Sequence, residues 1–166
     1  MDIIFTRRSI RKYTDQTVSD DQIQQMLKAA MYAPSARNEQ PWHFIVVQDK
    51  QRLTALSEIH PYAKMLTQAS LAILVCGDSS IIETEGYWVQ DCTAATQTLL
   101  LAAHALGLGA VWLGVFPREE RIKAMKDFFE LPAHIHPLSL ISIGYPAEKI
   151  EMPDRFKKER IRFEKW

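Results

Sequence analysis

Arg7, Arg8 and Arg11 place three guanidinium groups within a five-residue stretch. The planar fork of arginine pairs bidentately with phosphate oxygens, so the three together could neutralise a phosphate dianion. A solvated charged surface is the other reading of such a cluster. A second basic group, Arg155, Lys157, Lys158, Arg160 and Arg162, stands at the far end of the chain. Lys plus Arg number 20 and Asp plus Glu number 20, so the net charge is zero. A whole-protein field for nucleic acid or anionic membrane is therefore absent, and two basic clusters at opposite ends suggest convergence on one anion.

The second candidate is Pro34-Ser35-Ala36-Arg37-Asn38-Glu39-Gln40-Pro41-Trp42. Its Ser, Asn and Gln side chains carry hydroxyl and amide groups on a loop stiffened at both ends by proline. Such groups can read the donor and acceptor edge of a planar heterocycle, and they equally build an ordinary turn before a strand. The third is Trp112-Leu113-Gly114-Val115-Phe116. A glycine at a strand end lets a backbone N–H approach a flat ligand, although a packing glycine in a buried strand has the same sequence. Gly107-Leu108-Gly109 is no dinucleotide fingerprint, because it follows a helix instead of opening one. The five histidines show no metal-ligand spacing, His134/His136 beside Pro137 reads as a polar turn, and no hydrolase triad or phosphate-cradling glycine loop occurs.

The elements that must position these groups centre on the stretch from Asp91 to Phe116, which has no charged residue after Asp91. Cys92 to Leu106 is rich in Ala, Leu and Thr without Pro or Gly and reads as a buried helix. It closes at Gly107-Leu108-Gly109, and Ala110 to Val115 reads as a buried strand. Thr, Gln and His interrupt the apolar surface, so a core helix feeding a core strand is favoured over a membrane span. Residues 2–6 form a helical turn. Ser19 caps a helix running to Tyr32, with Gln22 completing a capping box. Further strands are expected at Trp42–Gln48, Leu71–Cys76 and Leu138–Ile143. Helices are expected at Lys50–Ile59, Ala63–Gln68 and from Pro117 to Phe129. Ser79 to Glu85 is a polar surface connection. Cys76 and Cys92 lie in apolar segments and read as buried free thiols. Met1 to Phe5 lacks a signal-peptide core, which implies a cytoplasmic location. With 47% hydrophobic and 24% charged residues in 166, the chain reads as one α+β domain with helices layered around a sheet of about four strands. The final segment, basic with Phe156, Ile161, Phe163 and Trp166 interleaved, is too apolar for water and should pack on the domain or on a second copy.

In order and spacing these features resemble the nitroreductase family of flavin-dependent oxidoreductases. Arg7-Arg8-Ser9-Ile10-Arg11 is similar to the family's opening signature, and Pro34-Ser35, Asn38 and Gln40-Pro41-Trp42 to its most specific one. Ala105 to Gly109 followed by Trp112-Leu113-Gly114 resembles the third, and Gly144-Tyr145-Pro146 with the tail from Arg155 to Trp166 completes the likeness. The resemblance implies a three-layer homodimer of single-domain chains, residues 1–166. The arm 146–166 would be exchanged onto the partner, with one FMN in each of two clefts at the subunit interface. It implies that Arg7, Arg8 and Ser9 meet the ribityl phosphate and Arg11 the pyrimidine edge. Ser35, Asn38 and Gln40 would come from the other subunit. Leu113 and Gly114 would line the ring, Gly114 offering its N–H to flavin N5, while Lys64 approaches O2 and Arg155 returns from the tail to the phosphate.

The activity so implied is hydride transfer from NAD(P)H to FMN N5, followed in ping-pong order by reduction of a nitroaromatic or quinone. No side chain need act as acid or base, and no metal is involved. Tyr87, Trp88, Trp112 and Phe116 are possible pocket walls or core residues. The short Ser79–Glu85 segment leaves little room for the covering helices of some relatives. Two alternatives remain within flavin binding: a specialised reaction such as reductive dehalogenation or oxidative breakdown of the flavin, and a non-catalytic FMN-delivery protein. A nucleic-acid module using the basic ends is opposed by the zero net charge.

Overall fold

The computed structural model describes residues 2–83 and 85–166. Its strands are β1 (Trp42–Val47), β2 (Leu71–Asp78), β3 (Gly109–Gly114) and β4 (Ile135–Gly144). They form an antiparallel sheet in the order β1-β2-β4-β3. Short α1 (Asp2–Thr6) opens the chain; α2 (Asp20–Met31) and α4 (Tyr87–Ala105) cover one face of the sheet, and α3 (Lys50–Ile59) and α5 (Glu119–Phe129) the other. The α+β three-layer expectation is met.

Alternation along β2 explains the layers. Ile73 and Val75 point into the core shared with Met26, Ala95 and Leu99, whereas Ala72, Leu74 and Cys76 point into the core shared with Leu53, Leu56 and Met125. Every residue of β2 is buried, which is why its sequence is continuously apolar. Continuous apolar runs are usual in parallel sheets; here an antiparallel strand has one because helices lie on both sides. Each fully buried Leu or Ile in these two layers contributes roughly 1.5–3 kcal/mol.

Local signals hold where the chemistry is local. Ser19 accepts the Gln22 N–H while the Gln22 side chain accepts the Ser19 N–H, closing the capping box at the start of α2. Lys50–Ile59 is helical over the expected residues, and Ala63–Gln68 narrows to a 3-10 turn at Lys64–Thr67. The long helix begins at Tyr87 and not at Cys92, because Gly86 with φ 91° turns the chain into it. Of the two glycines after α4, only Gly107 is left-handed (φ 75°). Gly109 already lies in β3 and serves close packing. The polar connection at 79–85 is described except for Thr84, which with Met1 lies outside the described residues. Cys76 and Cys92 are buried free thiols, and burial pushes the Cys76 thiol up to about 12. No helix among the described residues is long and apolar enough to cross a membrane.

The segment carrying the first basic cluster is fastened along the outer edge of β3. Ser9 pairs in parallel with Ala110, and the Ile10 N–H donates to the Ala110 oxygen at 3.0 Å. A Cβ on Gly109 would stand 2.7 Å from Ile10 Cγ2. Gly109→Ala should therefore lower stability by about 1–3 kcal/mol through forced separation of the two segments. Calorimetry would read this as a Tm about 2–4 °C lower per kcal/mol lost. Beyond Ala147 the chain runs back along the arginine segment, and residues 151–166 are all exposed.

Candidate functional site

Several contacts hold the 7–12 segment. The Tyr13 hydroxyl donates towards both the Ile10 oxygen (2.7 Å) and the Ser142 oxygen (3.2 Å). Burial, its main cause, raises the Tyr13 pKa. The Glu148 carboxylate accepts the N–H groups of Arg11 (2.6 Å) and Lys12 (3.1 Å). Arg8 Nε donates to the Glu151 oxygen at 3.0 Å. Glu148 and Glu151 were not marked by any sequence motif, since only folding brings the tail beside residue 11.

Arg7 and Arg8 face Arg155 across a cleft of about 750 Å³ lined also by Ile4, Phe5, Met152 and Phe156. Burial, then the charges of Arg155 and Arg8, hold the Arg7 pKa below its ordinary value. Asp2 and Asp154 line the cleft, yet among the described residues none of the three guanidiniums has a carboxylate within 4.0 Å. Three guanidiniums gathered without a directly paired carboxylate could receive a multiply charged anion. Ser9 sits between Arg8 and Ile10 on this edge. Arg11 is exposed, and its side chain donates only a 3.4 Å contact to the Ser9 oxygen.

A second locus lies at the other end of β3. Val115 N–H donates to the Leu138 oxygen, and with Leu113 opposite Leu140 the antiparallel alternation turns the polar groups of residues 110, 112 and 114 away from β4. Ala110 accordingly accepts from Ile10, and the Gly114 oxygen accepts from His60 Nε2 at 3.0 Å and Arg121 Nη1 at 2.8 Å. The Gly114 N–H lies on the same outer edge. A Cβ at Gly114 would meet nothing within 4 Å, so no packing inside the chain demands this glycine. Leu113 is buried, and Lys64 is exposed at the start of the turn that follows His60. His60 and Arg121 were not singled out from sequence; they lie 54 and 7 residues from Gly114 and follow no motif.

The histidine's tautomer follows from its partners. Its Nδ1 accepts the Tyr62 N–H, so Nε2 carries the proton that goes to Gly114. Burial depresses the pKa of His60, and also those of His104 and His136. Below the ordinary value of 6.5 the unfolded chain therefore binds more protons than the folded one. Stability should be full above that pH and fall as pH drops from there through the lowered folded values. Urea melts from pH 7.5 to 5 check the slope, which His60→Gln should reduce.

The third locus is the polar loop. Arg37, Asn38 and Gln40 have φ of 51°, 59° and 52°, three left-handed residues without glycine around a right-handed Glu39. Gln40 Nε2 donates to Asn38 Oδ1, the Gln40 N–H to Ser35 Oγ, and the Ala36 N–H to Asp91 Oδ1 at 2.9 Å. Arg37 pairs with Glu83. Asp91 is buried with Oδ2 unpartnered. The loop is thus anchored at the start of α4, whereas Thr6 anchors the arginine segment to His104 near its end. At about 1.5 Å per residue, Asp91 and His104 stand about 20 Å apart. One chain brings Arg7, Arg8 and Arg155 to one cleft, with Ser9 and Arg11 on the adjoining segment, and anchors the loop of Ser35, Asn38 and Gln40 at the opposite end of the helix. Of the aromatic candidates, Trp88 is core, packed edge-on to Phe116 at 5.1 Å, with its ring 2.5 Å from where a Cβ on Gly77 would lie. Tyr87 is exposed beside Pro34–Ala36.

Set against known proteins, the chain matches the profile of the nitroreductase family over residues 4–74 and 60–145. A Methanothermobacter thermautotrophicus protein, provisionally named NADH dehydrogenase/NAD(P)H nitroreductase, is 51% identical over all of this chain and 87% of its own length. An FMN-dependent nitroreductase of Clostridium difficile superposes with a TM-score of 0.91 at 31% identity, covering 99% of this chain and 98% of that one. A Desulfovibrio desulfuricans protein solved in complex with FMN gives a TM-score of 0.86 at 36% identity, over 99% and 96% of the two chains.

Proposed function

Because the chain belongs to the nitroreductase family, we propose that it is an FMN-dependent NAD(P)H oxidoreductase in which two copies jointly enclose each flavin. The observation that carries this reading is the meeting of Arg7, Arg8 and Arg155 without a carboxylate partner. Such a group suits a terminal phosphate, and the open, polar strand edge at Gly114 suits a flat ring. The residues present therefore fit FMN.

In this reading Arg7, Arg8, Ser9 and Arg155 hold the phosphate. Arg11 and Lys64 place positive charge against the pyrimidine edge. Leu113 walls the ring, and Gly114 directs its N–H at N5. Ser35, Asn38 and Gln40 reach the heterocycle from the second copy, which anchoring at helix positions about 20 Å apart within one chain favours. When bound, FMN supplies the redox chemistry, oxidising NAD(P)H and reducing a nitroaromatic or quinone in turn. The chain's own contribution is position and charge, with solvent supplying protons.

A second copy is favoured by two surfaces. The tail exposes Phe156, Phe163 and Trp166, and α4 leaves a charge-free stripe through Gln90, Thr93, Gln97, Leu101 and Ala105 at least partly exposed. The test is direct. Purified protein should be yellow, release FMN on denaturation, run as a dimer and oxidise NADH or NADPH with a nitroaromatic; colourless protein that refuses FMN would overturn the proposal. Arg11→Ala should lower the midpoint potential of bound FMN by about 30 mV, a tenfold loss of preference for the reduced form. Dye-coupled reductive titration measures it.

A further inference from the structure

Residues 35–40 close their own turns with short-range bonds. The Asn38 N–H donates to the Ser35 oxygen (3.1 Å), the Glu39 N–H to the Ala36 oxygen (3.0 Å) and the Gln40 N–H to Ser35 Oγ (3.1 Å). Arg37, Asn38 and Gln40 nevertheless stand at positive φ, a region that residues with a side chain populate sparsely. Such a backbone persists only where its surroundings fix it. Two residues outside the loop hold it. Glu83 pairs with Arg37 and gives its N–H to Glu39 Oε1 (3.2 Å), but Glu83 is itself exposed on the surface connection. Asp91 accepts the Ala36 N–H at Oδ1 (2.9 Å) from the first turns of α4.

Asp91 is an expensive anchor. It is 5% exposed, its Oδ2 is buried without a partner, and no Lys, Arg or His lies within 4.0 Å of it among the described residues. Burying a carboxylate with one oxygen unanswered costs stability, and the stretch that follows it as far as Phe116 carries no other charge. What this side chain gives the fold is its grip on the Ala36 N–H.

We infer that Asp91 is a positioning residue: from inside one copy it holds residues 35–40 in the conformation that presents Ser35, Asn38 and Gln40 to the ring bound by the other copy. The loop then meets the ring already formed. A loop that keeps its competent form for only about a tenth of the time binds about tenfold more weakly, because the apparent dissociation constant is the intrinsic one divided by that fraction. The inference rests on the reading that this loop meets a flavin whose phosphate lies in the cleft of Arg7, Arg8 and Arg155 on the second copy. Asp91 itself does not touch the flavin.

The test uses full-length protein and three probes: FMN, riboflavin and inorganic phosphate. Asp91→Ala should raise the dissociation constants of FMN and of riboflavin, which has the ring without the phosphate, by the same factor of about ten. Inorganic phosphate needs only the arginine cleft, so it should raise the Tm of this variant as much as that of the parent. Asp91→Asn, whose side-chain oxygen still accepts, should stay close to the parent with all three. In the flavin-free proteins the Ala36 amide should exchange about tenfold faster in Asp91→Ala than in the parent. If that amide exchanges faster while flavin affinity is unchanged, Asp91 merely caps a loop and the inference is overturned alone. It is equally overturned if the phosphate response falls together with flavin affinity, as general damage to the fold would produce, or if Asp91→Asn binds as weakly as Asp91→Ala. If the parent takes up no FMN, the flavin reading falls and this inference with it. Should Asp91→Ala fail to fold, Asp91→Leu, which fills the site without an acceptor, carries the same comparison.

Discussion

Arg7→Met should bind FMN between tenfold and a hundredfold more weakly than the parent, yet unfold at a higher temperature when no flavin is present. The first half follows from the value of a charge-assisted hydrogen bond to an anion, about 1.5–3 kcal/mol, at a group that no carboxylate among the described residues approaches within 4.0 Å. The second half follows from the apo-protein's electrostatics. Burial and the neighbouring charges of Arg155 and Arg8 all disfavour the Arg7 cation. Removing it relieves those terms, while methionine keeps an apolar stem against Ile4 and Phe5. That double outcome would mark Arg7 as a side chain that serves binding at the expense of the empty fold. Fluorescence titration of FMN and differential scanning fluorimetry with and without FMN measure both halves. A variant that binds FMN as tightly as the parent would remove the central support for the phosphate site.

The legible parts of this protein are those whose causes are local. The Ser19 box, the Lys50–Ile59 helix and the β2 run follow from caps and periodicity within a dozen residues, and the structure repeats them. The first basic cluster was also legible as a cluster, because Arg7, Arg8 and Arg11 are neighbours and the neutral composition made them conspicuous. What escaped were residues whose role exists only after the chain closes on itself. Glu148 holds residues 11 and 12 from across the fold, Asp91 ties down the Ala36 N–H from the first turns of α4, and His60 reaches Gly114 from the far layer. Asp91 illustrates the difficulty. In sequence it was only the last charge before an uncharged stretch, and burial with one oxygen bonded to a strained loop is a tertiary fact. The aromatic at position 88 shows the converse: in sequence it reads equally as pocket wall or core, and the missing side chain of Gly77 decides for the core by opening a slot that the indole fills.

Truncation after Met152 should convert a dimer that holds FMN into a monomer that does not, while leaving the sheet and its two apolar layers intact. The removed segment, 153–166, is exposed throughout, so its loss costs the isolated fold little, and the Glu148 and Glu151 contacts to the arginine segment are kept. In the proposed dimer its value lies between copies. Phe156, Phe163 and Trp166 are 66%, 84% and 101% exposed in one chain, and burying such a side chain on a partner contributes roughly 1.5–3 kcal/mol. A symmetric exchange doubles the sum, which brings it into the range of the estimated 4–15 kcal/mol association cost. Without the arm, the α4 stripe alone would have to hold the pair. The truncation also deletes Arg155, so full-length Arg155→Met is the necessary companion. It should remain dimeric and lose FMN affinity only about tenfold, as expected for one phosphate-facing charge. Sedimentation velocity gives the mass of each form and the flavin absorbance its occupancy. A truncated protein that stays dimeric and yellow would show that the arm packs on its own chain and that the interface lies elsewhere.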